Sequence, residues 1–310
     1  VDNFFFTSRC SYSTPEVQKA IIEGAANINI ISSGGGLNSL PKPGKRKINT
    51  PLRYGYAGSL NFSKLHPNFI DCLSKVMEPH FQVRIIGETV NRDVLSRQCR
   101  EINKPDLINF CNYTTNIASE LNNLDVMIYL LNPYHYGTAE NTLLEAMAMG
   151  VVPIVLKNGA ENEIVVNNIT GLCLNNLSEL PPAIKWLSMN RDKHYEMAKT
   201  CEKLVRTKYN YRKSLKLFHS HYESMVNHEK KSVDFRTIFG HKPSEWFLSF
   251  VRDKSIFMED GTVNLPAEDK LYGFSELTKG SVLHFSEFFP DDTLLKEWSK
   301  NLRLQNIKPY

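Results

Sequence analysis

The sequence predicts an α/β protein: a parallel sheet with helices on both faces, followed by a helical C-terminal extension. Three observations carry this. The chain has 310 residues, 42% of them hydrophobic and 23% charged, enough for a real buried core. From residue 51 to about 190, short apolar runs alternate with longer helical patterns, the order that parallel strands joined by right-handed crossover helices require. From about 191 to 227 the pattern is helical with no strands.

Residues 13–26 read as one helix, with Ser13 or Thr14 as cap, Pro15 in the first turn and Val17, Ala20 and Ile21 at helical spacing. The apolar run Ile28–Ile31 follows and ends at Gly34-Gly35-Gly36. Residues 34–50 gather Gly, Pro, Ser, Asn and Lys, the composition of a linker. Strands are expected at Leu52–Ala57, Gln82–Ile86, Leu107–Phe110, Val126–Leu131, Val151–Leu156 and Leu172–Leu174. Helices are expected near 66–77, 91–102, 115–122, 142–149, 160–166 and 179–189. Leu215, Phe218, Tyr222 and Met225 then recur at steps of three and four, one face of a helix. Residues 229–310 hold Trp246, Trp298 and many Phe, so this stretch should pack, yet it contains no recognised motif. No internal repeat is evident.

Composition narrows the class. The net charge of +4 is too weak and too dispersed for nucleic acid, and the run Lys42, Lys45, Arg46, Lys47 lies among Pro and Gly as a solvated linker would. Six cysteines form no C-x-x-C pair and no zinc-spaced cluster, which favours free thiols, a reducing compartment and no metal. No stretch approaches the ~20 apolar residues of a membrane span. Residues Val1–Phe6 are too short, and lack the basic flank, for a signal peptide. A cytoplasmic protein is expected, at most peripheral at a membrane. With no initiating Met, the chain reads as a piece of something longer.

Ligands of such sheets bind at the carboxyl ends of the strands, so the turns there are the expected place for chemistry. After the first strand of the sheet comes Gly58-Ser59-Leu60-Asn61-Phe62-Ser63-Lys64. Glycine lets backbone approach a phosphate, adjacent N–H groups donate to it, and a Lys neutralises its charge. After the fourth comes His135-Tyr136-Gly137-Thr138-Ala139-Glu140-Asn141-Thr142-Leu143-Leu144-Glu145-Ala146-Met147-Ala148-Met149-Gly150. Here a small-residue turn, with Thr138 and Asn141 as candidate caps, opens a short helix whose first N–H groups and dipole favour an anion. Glu145, on a wall of Leu, Ala and Met, calls for a partner that ribose hydroxyls would supply. His135 could touch sugar or phosphate, whereas Asp125 reads as a turn cap. There is no G-x-G-x-x-G, no H-E-x-x-H and no G-x-S-x-G, and the Walker-like Lys279-Gly280-Ser281 is accidental.

These segments resemble the retaining GT-B glycosyltransferases of the large "glycosyl transferases group 1" family. The run Leu143–Ala148 with Gly150, Pro153 and Val155 is similar to that family's E-x7-E region, and Gly58–Lys64 resembles its G-R-L-x-x-x-K loop. Phe110-Cys111-Asn112-Tyr113 resembles the turn that contacts the nucleobase, largely through backbone. The resemblance implies a Rossmann-like donor domain, the C-terminal half of GT-B, over residues 51–190, with crossover helices at 191–228. It makes residues 1–50 the end of the acceptor-side domain plus hinge, and leaves 229–310 as an extension of unknown role. It implies transfer of a hexose-like sugar from a nucleoside-diphosphate donor, with retention and no cofactor or metal. The acceptor would be a glycan, lipid-linked or protein acceptor, in polysaccharide or glycan biosynthesis.

The implied catalytic set is Lys64, Glu145 and Glu140. Donor contacts fall to Gly58, Ser59, Lys64, Asn112, Tyr113, His135, Gly137, Thr138, Ala139, Asn141, Thr142 and Glu145. Two positions depart from the family: its first Glu aligns with Gly137, and its loop Arg with Ser59. Glu140, out of register, either reaches the sugar pocket in place of that Glu or caps the helix. The rest of the acceptor domain would lie in an absent N-terminal part or on another polypeptide, so the fragment need not be active alone. Two other readings stay open: a nucleotide-sugar epimerase on the same scaffold, or a non-catalytic module that binds nucleotide or scaffolds an assembly.

Overall fold

The computed structural model describes residues 5–7, 15–23, 28–31, 37–44, 51–87, 90–111, 114–133, 135, 139–229, 232, 234–251, 253–265 and 276–305. The chain divides into two compact units: residues 1–60 with 68–228, and residues 61–67 with 229–310.

The first unit opens with strand β1 (Phe5–Thr7), helix α1 (Pro15–Ile22) and strand β2 (Ile28–Ile30), whose two strands pair in parallel. The expected helix over 13–26 is thus shorter, and its caps Ser13 and Thr14 lie outside the described residues. A single 3-10 turn occupies Leu37–Ser39. Arg206 fastens this stretch, donating to the carbonyls of Leu37 (3.3 Å), Leu40 (3.2 Å), Pro41 (2.6 Å) and Ala148 (3.1 Å).

The main sheet follows in alternation. Its elements are β3 (Tyr54–Ala57), α2 (Phe69–Ser74), β4 (Val83–Ile86), α3 (Arg92–Glu101), β5 (Ile108–Cys111) and α4 (Ile117–Asn122). Then come β6 (Val126–Tyr129), α5 (Asn141–Ala148), β7 (Val152–Leu156), α6 (Gly159–Ile164) and β8 (Leu172–Leu174). Every strand pairing is parallel, in the order β5-β4-β3-β6-β7-β8. All residues of β3, β6 and β7 are buried, because helices cover both faces. The sheet runs outward in two directions from β3 and β6, so the switch point, where sheets of this kind bind their ligands, lies between their carboxyl ends.

Helices α7 (Leu180–Met189), α8 (Arg191–Lys208) and α9 (Tyr211–Val226) close the first unit. α8 packs on α5 and β7 through Met197, Ala198, Cys201 and Val205. At the amino ends of the central strands, Asp125 accepts from the Arg53 amide (3.0 Å) and is paired with its guanidinium (2.9 and 3.1 Å). Asp125 therefore sits at the edge opposite the switch point and has a structural role. Its hydrogen bond raises the Arg53 pKa.

The second unit has its own core. Helices α10 (Arg236–Phe239), α11 (Pro243–Phe250), α12 (Val282–Phe288) and α13 (Thr293–Gln305) carry the aromatics that had no assigned role in the sequence. At its centre Phe257 meets Phe247 and Trp298 edge to face, with centroids 5.0 and 5.3 Å apart, and Phe247 tilts against Trp298 at 6.0 Å. The buried Trp298 indole satisfies its N–H on the Met258 carbonyl at 2.8 Å. Among the described residues no helix is long and apolar enough to cross a membrane.

Candidate donor-binding site

Two glycines shape the carboxyl edge of the sheet. Gly58 after β3 and Gly87 after β4 have φ of +147° and +144°, which side chains seldom adopt. A Cβ on Gly87 would lie 2.3 Å from the Gly58 carbonyl oxygen. The two turns are therefore in direct contact, and the Gly58 amide closes the edge on the Ile86 carbonyl at 3.0 Å.

Across the switch point, Tyr56 of β3 stacks on Tyr129 of β6, with centroids 5.9 Å apart and planes 21° apart. Both rings are wholly buried, so their hydroxyls need partners. Tyr56 donates to the Ser59 carbonyl at 2.7 Å, fixing the turn after Gly58. Tyr129 donates to the Glu140 carboxylate, and His135 Nε2 lies 3.1 Å from the other oxygen of that carboxylate. Burial, then the Glu140 charge, hold the Tyr129 hydroxyl protonated well above the ordinary range. Ser59, His135 and Glu140 are thereby joined through two tyrosines to which the motifs assign no role. Tyr129 carries the one side-chain hydroxyl of β6, and Tyr56 stands two residues before the glycine turn that ends β3.

Glu140 occupies the N-cap position of α5 in a left-handed conformation, φ +44° and ψ +46°. Its side chain makes no capping bond to the helix and turns inward instead, so the capping role foreseen for it is not what the structure contains. Asn141 is likewise not a cap but the first helical residue, exposed at the helix start. The first i→i−4 bond of α5 runs from the Leu144 amide to the Glu140 carbonyl at 3.0 Å. The amides of Asn141, Thr142 and Leu143 precede it, as the first donors of any helix do.

One stripe of α5 escapes burial. Leu143, Leu144, Ala146, Met147 and Ala148 are in the core, while Asn141, Thr142 and Glu145 are not. Asn141 and Glu145 are one turn apart, so the carboxylate shares the face on which the helix begins. Glu145 is half-buried, and burial raises its pKa. Among the described residues no hydrogen bond or ion pair holds its carboxylate.

Ala139 is partly exposed at the approach to α5. Asn112, Tyr113, Gly137 and Thr138 lie outside the described residues. Lys64 belongs to the segment 61–67 that groups with the second unit, in a turn where its amide and that of Leu65 donate to the Asn61 carbonyl at 3.0 and 2.7 Å. Among the described residues no group of His, Cys, Asp and Glu could hold a metal ion, and the five described cysteines form no disulfide with one another.

A doubly wound sheet with a glycine turn and a helix start flanking its switch point defines a nucleotide-binding α/β domain. Residues 42–204, just over half of the chain, match the model of the family "Glycosyl transferases group 1". The chain belongs to that family. Solved structures with the same fold include HepE of Anabaena in complex with UDP-glucose, at 17% identity and TM-score 0.58 over 71% of this chain and 63% of that one. TarM matches at 16% identity and TM-score 0.60 over 69% and 42% of the respective chains. Sucrose-phosphate synthase of Thermosynechococcus elongatus matches at 16% and 0.58 over 71% and 58%. The chain thus spans less than two thirds of these proteins. No curated protein sequence matches it.

Proposed function

We propose that this chain is the donor-binding half of a retaining glycosyltransferase that moves a sugar from a nucleoside diphosphate to a glycan, lipid-linked or protein acceptor. The observation that carries the reading is Glu145: a half-buried carboxylate, with no partner among the described residues, on the same face as the start of α5 at the switch point. Ribose hydroxyls are the complement to such a group. The amides opening α5 suit a diphosphate, and Lys64, in the loop that follows β3, suits the charge that grows on that diphosphate as the sugar–oxygen bond breaks. HepE and its UDP-glucose complex lend support through a shared fold, and the family of this chain lends it independently. Retention and independence from a metal follow from the family resemblance of residues 143–155.

On this reading, β1-α1-β2 is the end of an acceptor-side domain, the rest of which lies on another part of the protein or on a partner chain. A second reading, nucleotide binding without transfer, draws on Gly137 in place of the family's first Glu and on the engaged state of Glu140.

The test is calorimetry of UDP, GDP, ADP and UDP-glucose against this chain and against Lys64→Ala and Glu145→Ala. Each substitution is expected to weaken nucleotide binding by about tenfold or more, the worth of one charge-assisted hydrogen bond. Equal affinity in all three proteins removes the assignment. Product analysis on the full-length protein, with donor and acceptor, then separates transfer from epimerisation and from binding alone.

A further inference from the structure

Residues 61–67, which carry Lys64, group with the C-terminal unit, and a carboxylate of that unit holds their backbone. Glu276 stands 214 residues beyond Phe62 in the chain. Its carboxylate accepts from the Phe62 amide at 2.9 Å with one oxygen and from the Ser63 amide at 3.2 Å with the other. Inside the loop, the Lys64 and Leu65 amides are satisfied by the Asn61 carbonyl, and Ser63 Oγ donates to Asn61 Oδ1 at 2.6 Å. The start of the loop is held separately, by Tyr56 on the Ser59 carbonyl (2.7 Å) and Asn91 on the Leu60 carbonyl (3.0 Å). Four successive amides thus point inward at two acceptors, one local and one supplied from the far end of the sequence. Without Glu276, the Phe62 and Ser63 amides lose their acceptor, and the turn that presents Lys64 loses the anion that fixes it.

We infer that Glu276 is a positioning residue for Lys64, and that the C-terminal unit is thereby a determinant of diphosphate binding. The inference rests on the donor-binding reading of Lys64. Two adjacent N–H groups gripping a bidentate carboxylate fix the two peptide planes that lead into Ser63, and with the 63–64 plane held by the Asn61 carbonyl they set the course of the backbone from which the Lys64 side chain leaves. A carboxylate suits this role because both oxygens accept, whereas an amide offers one acceptor and one donor. Glu276 touches no substrate in this account; it acts through the loop.

The test is a double-mutant cycle read by calorimetry with UDP and with GDP, on the full chain. Glu276→Gln is expected to weaken binding of whichever nucleotide the chain takes by about threefold to tenfold, one charge-assisted bond being exchanged for a mismatched one. Lys64→Ala is expected to weaken it at least as much, and Lys64→Ala with Glu276→Gln no more than Lys64→Ala alone, since the carboxylate acts through the lysine. Glu276→Asp, which keeps both oxygens, should recover part of the loss. Thermal unfolding of each variant separates misfolding from a local effect: a Glu276→Gln protein with unchanged Tm and weakened binding supports the inference. Full additivity of the two changes overturns it, as does unchanged or tighter binding in Glu276→Gln. Tighter binding would mean that the carboxylate competes with phosphate for the same amides. If Lys64→Ala itself leaves affinity unchanged, it is the donor reading of the loop that fails.

Discussion

Replacing Glu145 with Gln should push stability and affinity in opposite directions. The wild-type carboxylate is half-buried on α5 with no partner among the described residues, and burial raises its pKa. A raised folded-state value means that the native protein binds more protons than the unfolded chain as this group titrates. The sign follows: the penalty is absent below the unfolded-state pKa, grows as pH rises through the folded-state pKa, and is fully present at neutral pH. Gln keeps the shape and removes the charge. The group is partly exposed, so solvent screens the penalty to a few tenths of a kcal/mol, about 1 °C in Tm for a domain of this size.

Binding should change more, and the other way. A carboxylate that accepts from two ribose hydroxyls contributes ~1.5–3 kcal/mol, so Glu145→Gln should cost about tenfold to a hundredfold in nucleotide affinity. Calorimetry with UDP and with its 2′,3′-dideoxy analogue isolates the contact. The wild type should lose most of its affinity when the hydroxyls are removed, and Glu145→Gln should lose little more. Unfolding curves at pH 4 and pH 7.5 supply the other half, with the variant gaining on the wild type only at the higher pH. A variant that binds UDP as the wild type does, or that distinguishes the two ligands equally well, refutes the argument.

Tyr129→Phe removes a donor from the buried Glu140 carboxylate. The loss should be about 1–3 kcal/mol, some 3–10 °C in Tm, measured by denaturant and thermal unfolding. Gly87→Ala sets a methyl 2.3 Å from the Gly58 carbonyl at a φ of +144°. Distortion of the β3–β4 edge should cost ~2 kcal/mol or more and disturb nucleotide binding, whereas Gly44→Ala, near only the Asn122 side chain, should be nearly silent in the same assays.

The sheet was legible because its strands are fully buried. Runs such as Val126–Tyr129 and Val152–Leu156 stand out from the helical patterns between them, and all six expected strands lie within a few residues of those observed. Strand ends were less so: the run to Leu131 forms a continuous ladder only to Tyr129, and Leu131 beyond it keeps a single bridge. The C-terminal core was invisible as architecture, since its aromatics come from four short helices and the intervening loops. Local pattern cannot report that Phe247 meets Trp298, and the same limit hid Glu276. Nothing in residues 61–67 announces an acceptor 214 positions away.

The departures at Ser59 and Gly137 bear on different halves of the proposed chemistry. Ser59 offers the network its carbonyl rather than a charge, which leaves Lys64 the one cation of residues 58–64. Diphosphate binding then leans on that lysine and on the start of α5, and so on whatever fixes the lysine's loop. Glu140 is the nearest carboxylate to the missing first Glu, but it is buried and held by Tyr129 and His135 in a left-handed backbone that non-glycine residues adopt at a cost. That conformation persists because the two side chains hold the carboxylate inward. For Glu140 to turn toward the sugar, one of those bonds would have to loosen, and the Tyr129 hydroxyl is wholly buried. His135, the more exposed partner, is the one that can let go. A donor sugar that recruits Glu140 would do so by displacing His135, which makes the pair a single unit in any transfer this domain performs.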